Sequence, residues 1–497
     1  MLRNFVFFIV ILCNILIYSQ IIIDTSFEAA NLSSLKIYKI GKKTKSNDFR
    51  IDVMSKLDPA NPVDTALKPS SRWFYFGIEN IKNNKLYFNF INSDPALPFY
   101  SYDNINFKRM QLDKKKNSFY ITPSKNKVYV SYFIPFTHSN LYNTEKVLLK
   151  SKFIKIDTIG FSYSNLPIKL YKITNFKKPD SIKKRVWIHS RIHTSESPAS
   201  FLVDEMIKLL VSNSSYYHQM LDNIIFYVVP FANPDGVKYG LSRSNLQGIN
   251  LEINWDKPDS LTAIEIKYLK EKFLHLNSQK KFDIVFNSHS QVRNRVTYWF
   301  HKPDSTSINK ELHKKQLLLG YLGTDDKYFY PPFDQFSYIK PRYIEGQNWL
   351  INGDTTVALT FETSYGYYLD GFYGEKVDIK NINKIAKNIL YSFNDYLMIP
   401  NKHRFVIDND TTNGINNYKY YYFGKNYLLK NKGDKVTYNL SENLTGNYKI
   451  YKWDVDKNGF YKWIFKQKIA LKNGNQTITF NVKDDNEFWD AILLVKN

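Results

Sequence analysis

Between about Thr144 and Pro400, short apolar runs alternate with amphipathic ones, and that alternation restricts the possible folds more than any other feature of the chain. VWIHS (186–190), IIFYVVPF (224–231), FDIVFNSHS (282–290) and VALTFETS (357–364) have the length and the β-branched or aromatic content of strands. Between them, SPASFLVDEMIKLLV (197–211), with Pro198 in its first turn, and SLTAIEIKYLKEKFLHL (260–276) read as helices. Strand and helix in alternation predict an α/β domain built in layers around a sheet. Ligands of such sheets collect at the carboxyl ends of strands. His193, His289 and Glu362 all fall at or just beyond such ends.

The flanking zones read differently. From about Ile21 to Asn143, RWFYFGIEN (72–80), LYFNFIN (86–92) and VYVSYFIPF (128–136) alternate at period two and are broken by Asn, Asp, Gly and Pro, which predicts antiparallel strands in a β-sandwich. Beyond Lys402, YKYYYFG, NYKIYKW, GFYKWIFKQ and QTITFNV, with Asn-Gly and Lys-Asn-Gly turn signals, predict a small β-domain. The expected organisation is a leader (1–20), an N-terminal β-sandwich (21–143), an α/β domain (144–400) and a C-terminal β-domain (401–497). Support of the α/β domain, or surface or glycan attachment, are the two roles open to the last.

The leader, MLRNFVFFIVILCNILIYSQ, sets one Arg before an apolar run from Phe5 to Tyr18, with Ser19 near its end. That is the layout of a cleaved secretory signal, so a secreted or periplasmic protein without stable membrane insertion is expected; a retained anchor would be short for a bilayer. The chain's single cysteine, Cys13, lies in this run behind Leu12, where lipid attachment would call for a small residue. The rest of the chain has no thiol, so it forms no disulfide, and any metal site must be built from His and carboxylates. At 497 residues, 43% hydrophobic and 16% aromatic, the chain has ample material for packed cores. Its 69 Lys and Arg against 46 Asp and Glu leave a net charge of +23, which favours acidic partners. No dense basic block interleaved with aromatics accompanies it, so nucleic acid is not an expected partner.

The stretch that carries chemistry is His193-Thr194-Ser195-Glu196. A His and a carboxylate three apart, on a loop leaving a strand, can turn toward one point. Zinc accepts that mixture, with a third His from elsewhere and one position left open. His189 lacks a carboxylate at that offset and sits within its strand, so it reads as structural. Downstream follow Asn233-Pro234-Asp235-Gly236-Val237, Gly240, Arg243, Gly248-Ile249-Asn250-Leu251, Asn254-Trp255, Asn287-Ser288-His289-Ser290 and Leu359-Thr360-Phe361-Glu362. In this order the segments resemble the metallocarboxypeptidase (zinc carboxypeptidase) family. Trp73-Phe74-Tyr75-Phe76 and Tyr132-Phe133-Ile134-Pro135-Phe136 resemble the N-terminal β-domain of its cytosolic carboxypeptidase branch. The likeness spans roughly residues 65 to 395.

The resemblance implies a mixed-sheet zinc carboxypeptidase-type domain between two β-domains, with one zinc per chain held by His193, Glu196 and His289. It gives Glu362 the part of general base and acid, and Arg243 that of the cation polarising the scissile carbonyl. A carboxylate beside zinc-activated water and a guanidinium facing a developing oxyanion suit amide hydrolysis on physical grounds as well. Asn233 to Gly236 read as a turn that shapes the site.

One departure bears on the substrate. Where the family carries an Asn-Arg pair that grips the substrate's α-carboxylate, this chain has Glu252-Ile253. Arg293 or Arg295, with Arg342 behind them, could take over that grip. Alternatively, the substrate has no free carboxylate there and Glu252 meets an ammonium group instead, or the site keeps zinc and has lost efficient catalysis. Gln347 is a candidate for lining the pocket beyond the cut, and Tyr338, Tyr343 and Tyr365 are candidates for an assisting hydroxyl. The expected activity is therefore a zinc-dependent peptidase of carboxypeptidase type acting on a peptide or peptide-like substrate. The alternatives are an amidase or endopeptidase on cell-wall or modified peptides, and a non-catalytic peptide- or glycan-binding relative. An intact Glu362 argues against the last.

Overall fold

The computed structural model describes residues 21–497 apart from 41–47, 63, 303–309, 324–335, 339, 341, 369–374, 410–421, 425, 441–443, 458 and 475–476. At its centre is an eight-stranded mixed sheet in the order Ile154–Phe161, Pro167–Ile173, Ile224–Val229, Lys184–Ser190, Ile284–Gln291, Val357–Ser364, Thr297–Lys302, Phe336–Tyr338. The four strands from Ile224–Val229 to Val357–Ser364 run parallel, and antiparallel neighbours border them. Burial on both faces explains the unbroken apolar run IIFYVV in a parallel position. This strand stops at Val229, one residue before Pro230, whose missing N–H cannot extend the ladder.

Side chains alternate along Lys184–Ser190. Val186 and Ile188 pack into a core shared with Leu202 and Met206 of the helix Ser197–Leu210 and with Ile385 and Ile389 of the helix Ile379–Tyr396. Trp187 faces the opposite way, toward Ile266, Leu269 and Phe273 of the helix Ile264–Gln279. The sheet is thus sandwiched between helices, and its carboxyl edge is left open to hold a site. The helix expected over 260–276 begins later and ends later. Asp259–Leu261 form a 3₁₀ turn after Pro258, and buried Ala263 stays extended as the N-cap residue.

Two five-stranded sheets precede this core. One is ordered Ile22–Asp24, Tyr75–Glu79, Lys127–Ser131, Phe99–Ser101, Phe107–Arg109; the other Ser34–Ile40, Asp48–Met54, Leu86–Phe90, Ser118–Ile121, Gln111–Asp113. They meet through aromatic rings such as Phe74 and Phe90, stacked with centroids 4.2 Å apart. Pairing is antiparallel except between Asp48–Met54 and Leu86–Phe90, where it is parallel. The reason lies in the chain path: Tyr75–Glu79, a strand of the other sheet, intervenes, so the chain returns to its first sheet in the original direction.

The C-terminal region is antiparallel throughout its described strands. A sheet ordered Arg404–Ile407, Ile492–Lys496, Gly446–Val455, Tyr461–Leu471 is joined by two two-stranded pairs. It is anchored to the helix Ile379–Tyr396 through Asp395, which accepts hydrogen bonds from Arg404 Nη2 (2.5 Å) and Trp463 Nε1 (3.1 Å). Among the described residues, no helix is long and apolar enough to cross a membrane.

Candidate metal centre

After Ser190 the chain turns at Arg191, whose φ of 58° lies in the left-handed region, and re-enters regular structure as the helix Ser197–Leu210. The buried Arg191 guanidinium ties this loop down. Its Nη1 donates to the Phe136 carbonyl (3.0 Å) and to Ser200 Oγ (2.9 Å), and its Nη2 donates to the Thr194 carbonyl (2.5 Å). Glu196 ends the loop as the N-cap residue of the helix. Its Oε1 lies 3.0 Å from His193 Nδ1, and its Oε2 lies 2.8 Å from His289 Nδ1. His289 comes from the end of the strand Ile284–Gln291, where Ser290 N also donates to Glu196 Oε2 (3.0 Å). His193, Glu196 and His289 are all buried, with one ligand atom from each within 4.8 Å of the others.

The far ring nitrogens are also engaged. His193 Nε2 lies 3.1 Å from Asn250 Oδ1, and His289 Nε2 pairs with Glu252 Oε2 at 3.0 Å. Each ring is thereby oriented with its Nδ1 toward the shared point, as outer partners commonly orient metal-binding imidazoles. Two imidazole nitrogens and a carboxylate form a donor set that fits zinc.

The electrostatics follow from burial and from these contacts. Burial, and then the Arg243 charge, lower His193 to about 4, which leaves the imidazole neutral. Burial would raise Glu196, but His193 and His289 hold its carboxyl well below the ordinary range. Burial works against a charged His289, yet Glu252 and Glu196 hold it well above its ordinary value. Two carboxylates converging on one ring make the cluster attractive to positive charge. Burial and the neighbouring Glu196 charge push Glu362 up to about 8, opposed by His289 and Arg243. Glu362 is the register partner of His289 on the adjacent parallel strand.

Of the other sequence candidates, Arg243 is half-buried and close enough for its charge to act on both His193 and Glu362. Glu252 reaches the cluster and engages Asn287 as well as His289. Arg293 is exposed, as is Arg342, whose Nη2 donates to Tyr343 Oη (2.9 Å). Arg295 is half-buried, with its carbonyl accepting from Gln291 Nε2 (3.2 Å). Gln347 is half-buried on the helix Ile344–Asn352. Tyr365 is buried against Tyr132, ring centroids 5.1 Å apart; the Tyr338 side chain lies outside the described residues. His189 stays within its strand, where its Nδ1 accepts from Trp187 Nε1 (3.1 Å). Asn233 caps the short helix Pro234–Lys238 by accepting from Gly236 N (3.0 Å), and it donates to the Ser244 carbonyl (3.0 Å).

Three participants escaped the sequence reading. Asn250 stood in a quoted segment, but nothing marked it as a partner of His193. Asp58 accepts from Ser242 N (2.7 Å), Arg243 N (2.8 Å) and Ser244 N (3.2 Å) across more than 180 residues of sequence, and no local pattern signals such a contact. Glu345, 2% exposed, accepts from Asn287 Nδ2 (3.1 Å) and Thr360 Oγ1 (2.7 Å).

Comparison with known proteins agrees with this geometry. The Peptidase_M14 family, zinc carboxypeptidase, matches residues 145–265, a stretch that holds His193, Glu196 and Arg243. The chain is 24% identical to cytosolic carboxypeptidase 6 of Mus musculus over 307 residues, covering 55% of this chain and 54% of that protein. It is 22% identical to cytosolic carboxypeptidase 6 of Homo sapiens, covering 76% and 78%. With cytosolic carboxypeptidase 4 of Homo sapiens it shares 28% identity over 35% of this chain and 17% of that protein. The chain thus spans about half the length of the mouse relative and a smaller part of the longer ones.

Among solved structures, a metallo-carboxypeptidase from Burkholderia cenocepacia superposes with a TM-score of 0.62 at 17% identity, covering 76% of this chain and 98% of that one. One from Pseudomonas aeruginosa gives 0.58 at 17% identity, covering 76% and 98%. At such identities the likeness is one of fold.

These relatives correct one expectation. They are cytosolic carboxypeptidases, which overturns the assignment of a secreted or periplasmic location. The physical reason is that a short apolar run behind one Arg is a compositional signal, and a chain 43% hydrophobic can produce such a run without an export function. Residues 1–20 themselves lie outside the described residues. Family match, fold and donor set agree: residues 145–265 match the zinc carboxypeptidase family, and the domain around them has a metallocarboxypeptidase-like fold with a His-Glu-His site that could hold a metal.

Proposed function

We propose that the protein hydrolyses an amide bond in a peptide or peptide-like substrate, with His193, Glu196 and His289 holding one zinc ion and Glu362 moving the proton. The observation that carries this reading is the placement of Glu362 as register partner of His289, beside a Glu196 carboxylate shared by two imidazoles. Zinc held by these three residues would supply Lewis acidity and make a water acidic near neutral pH. Glu362, on the strand next to His289, is suited to take a proton from the attacking water and give it to the leaving amine. Arg243, whose backbone is held by Asp58, supplies a cation for the negative charge that develops on the carbonyl oxygen. Asn250 and Glu252 keep the two imidazoles oriented. Metal analysis of the purified full-length chain tests the ligand set. About one zinc per chain is expected for the wild type, as for a single catalytic site, with marked loss in His193→Ala and in His289→Ala. Full retention in both variants would sink the assignment.

One observation favours cleavage that does not need a free carboxylate at the far subsite. Glu252 stands where the family resemblance implies a carboxylate-binding residue, and Ile253 beside it is buried at 7% exposure. Arg293 and Arg342 are exposed, and Arg295 is half-buried. Internal or amidase cleavage therefore suits the site better than strict removal of a C-terminal residue. Matched peptides with free and amidated C-termini decide the point: comparable cleavage of the amide supports this reading, and an absolute need for the free carboxylate returns it to an exopeptidase.

A further inference from the structure

Two residues back from the catalytic pair, the site turns acidic. Asn287 and His289 lie on one face of their strand, and Thr360 and Glu362 on the same face of the next; Asn287 pairs with Thr360 as His289 pairs with Glu362. At strand spacing this places the Asn287–Thr360 level about 6–7 Å below the metal ligands, roughly the reach of the residue just beyond the cut bond.

Two carboxylates converge there. Glu345 accepts from Asn287 Nδ2 (3.1 Å) and Thr360 Oγ1 (2.7 Å), and Glu252 accepts from the same Asn287 Nδ2 (3.2 Å). Neither carboxylate meets a Lys or Arg among the described residues; the only partly cationic partner is His289, on Glu252. One buried acceptor remains without a donor, Oε2 of Glu345, in a side chain 2% exposed; the Asn287 amide oxygen faces the buried His189 ring instead. The Glu252 side chain, 14% exposed, marks the route by which a ligand would enter.

A buried carboxylate oxygen left without a donor costs at least as much free energy as a lost hydrogen bond. A cation with several N–H donors would satisfy Glu345 and Glu252 together, and a carboxylate would be repelled. We propose that this level is a subsite for a positively charged group, an ammonium or guanidinium, on the leaving side of the substrate. Glu345 recognises it from the floor and Glu252 from the mouth. This rests on the proposed hydrolytic reading for its orientation, but not for the binding itself.

The test separates the two. The full-length, zinc-loaded chain carrying Glu362→Gln, which blocks proton transfer, is titrated calorimetrically with acetyl-Ala-Ala-Lys-amide and its norleucine and glutamate counterparts. The lysine peptide is expected to bind about tenfold or more tighter than the norleucine peptide, the size of a charge-assisted hydrogen bond, with the glutamate peptide weakest. Adding Glu345→Gln should erase the preference. Glu252→Gln, at the mouth, provides a second reading should Glu345→Gln fail to fold. Equal binding of the three peptides, tighter binding of glutamate, or a lysine preference unchanged in a folded variant overturns the subsite. A wild type that shows the lysine preference yet hydrolyses neither these amides nor the same peptides with free C-termini overturns the hydrolytic reading and leaves the subsite standing. One that cleaves all three equally well does the reverse.

Discussion

Each carboxylate oxygen of Glu196 serves a different imidazole, so a single side chain fixes both halves of the site. The outer partners should matter nearly as much. Asn250→Ala removes the contact on His193 Nε2 without touching a ligand. It is expected to weaken zinc binding by about 10–100-fold, the usual effect of losing such a partner; competition with a chromophoric chelator measures it, and unchanged affinity would exclude the orienting role. At this scale the sequence was legible where spacing alone brings groups together, as with His193 and Glu196, three apart on one loop. It was also legible where family order pointed, as with His289 and Glu362. It was silent on Glu345 and Asn250, because their contacts depend on how separate elements meet. It pointed to Arg293 and Arg295, with Arg342 behind them, as substitute cations; the structure leaves Arg293 and Arg342 exposed and Arg295 half-buried.

Between elements, the N-terminal β-region takes part in building the site. Asp58 gathers three successive backbone N–H groups from Ser242 to Ser244, and Asn31 Nδ2 donates to the Gly240 carbonyl (2.6 Å). The approach is tight enough that a Cβ on Gly248, where φ is 78°, would lie 2.2 Å from the Ala60 carbonyl oxygen. Asp58→Ala should strand those N–H groups and loosen the loop carrying Arg243. The expected result is destabilisation of about 1–3 kcal/mol, with a fall in kcat/KM and zinc content preserved. Chemical denaturation and metal analysis check the two parts, and loss of zinc instead would place the effect in the His193 loop. The elements themselves were largely readable. Period-two aromatic runs became the N-terminal strands, and apolar runs became the parallel core. The parallel pairing of Asp48–Met54 with Leu86–Phe90 was not readable, because it depends on the chain visiting the other sheet between them.

At the scale of the whole molecule, the C-terminal sheet carries a buried acid that makes stability depend on pH. Burial, and then the neighbouring Asp408, hold Asp490 well above the ordinary carboxylate range. The folded state therefore binds this proton more tightly than the unfolded one. That contribution is full below the unfolded carboxylate pKa and is lost as pH rises through the raised value. Asp490→Asn imitates the protonated form and keeps an acceptor for Phe423 N. Its melting temperature relative to wild type should climb between pH 4 and pH 8; a difference that stays flat with pH would mean that Asp490 does not titrate as described.

Hydrolysis is proposed to depend on Glu362 acting beside a zinc held by His193, Glu196 and His289. The most direct measurement sets wild type beside Glu362→Gln, reading zinc content and peptide hydrolysis on the same preparations. About one zinc per chain in both, with hydrolysis lowered about 10²–10⁴-fold in the variant, is the predicted result. Equal hydrolysis by the two proteins, or zinc in neither, would contradict it.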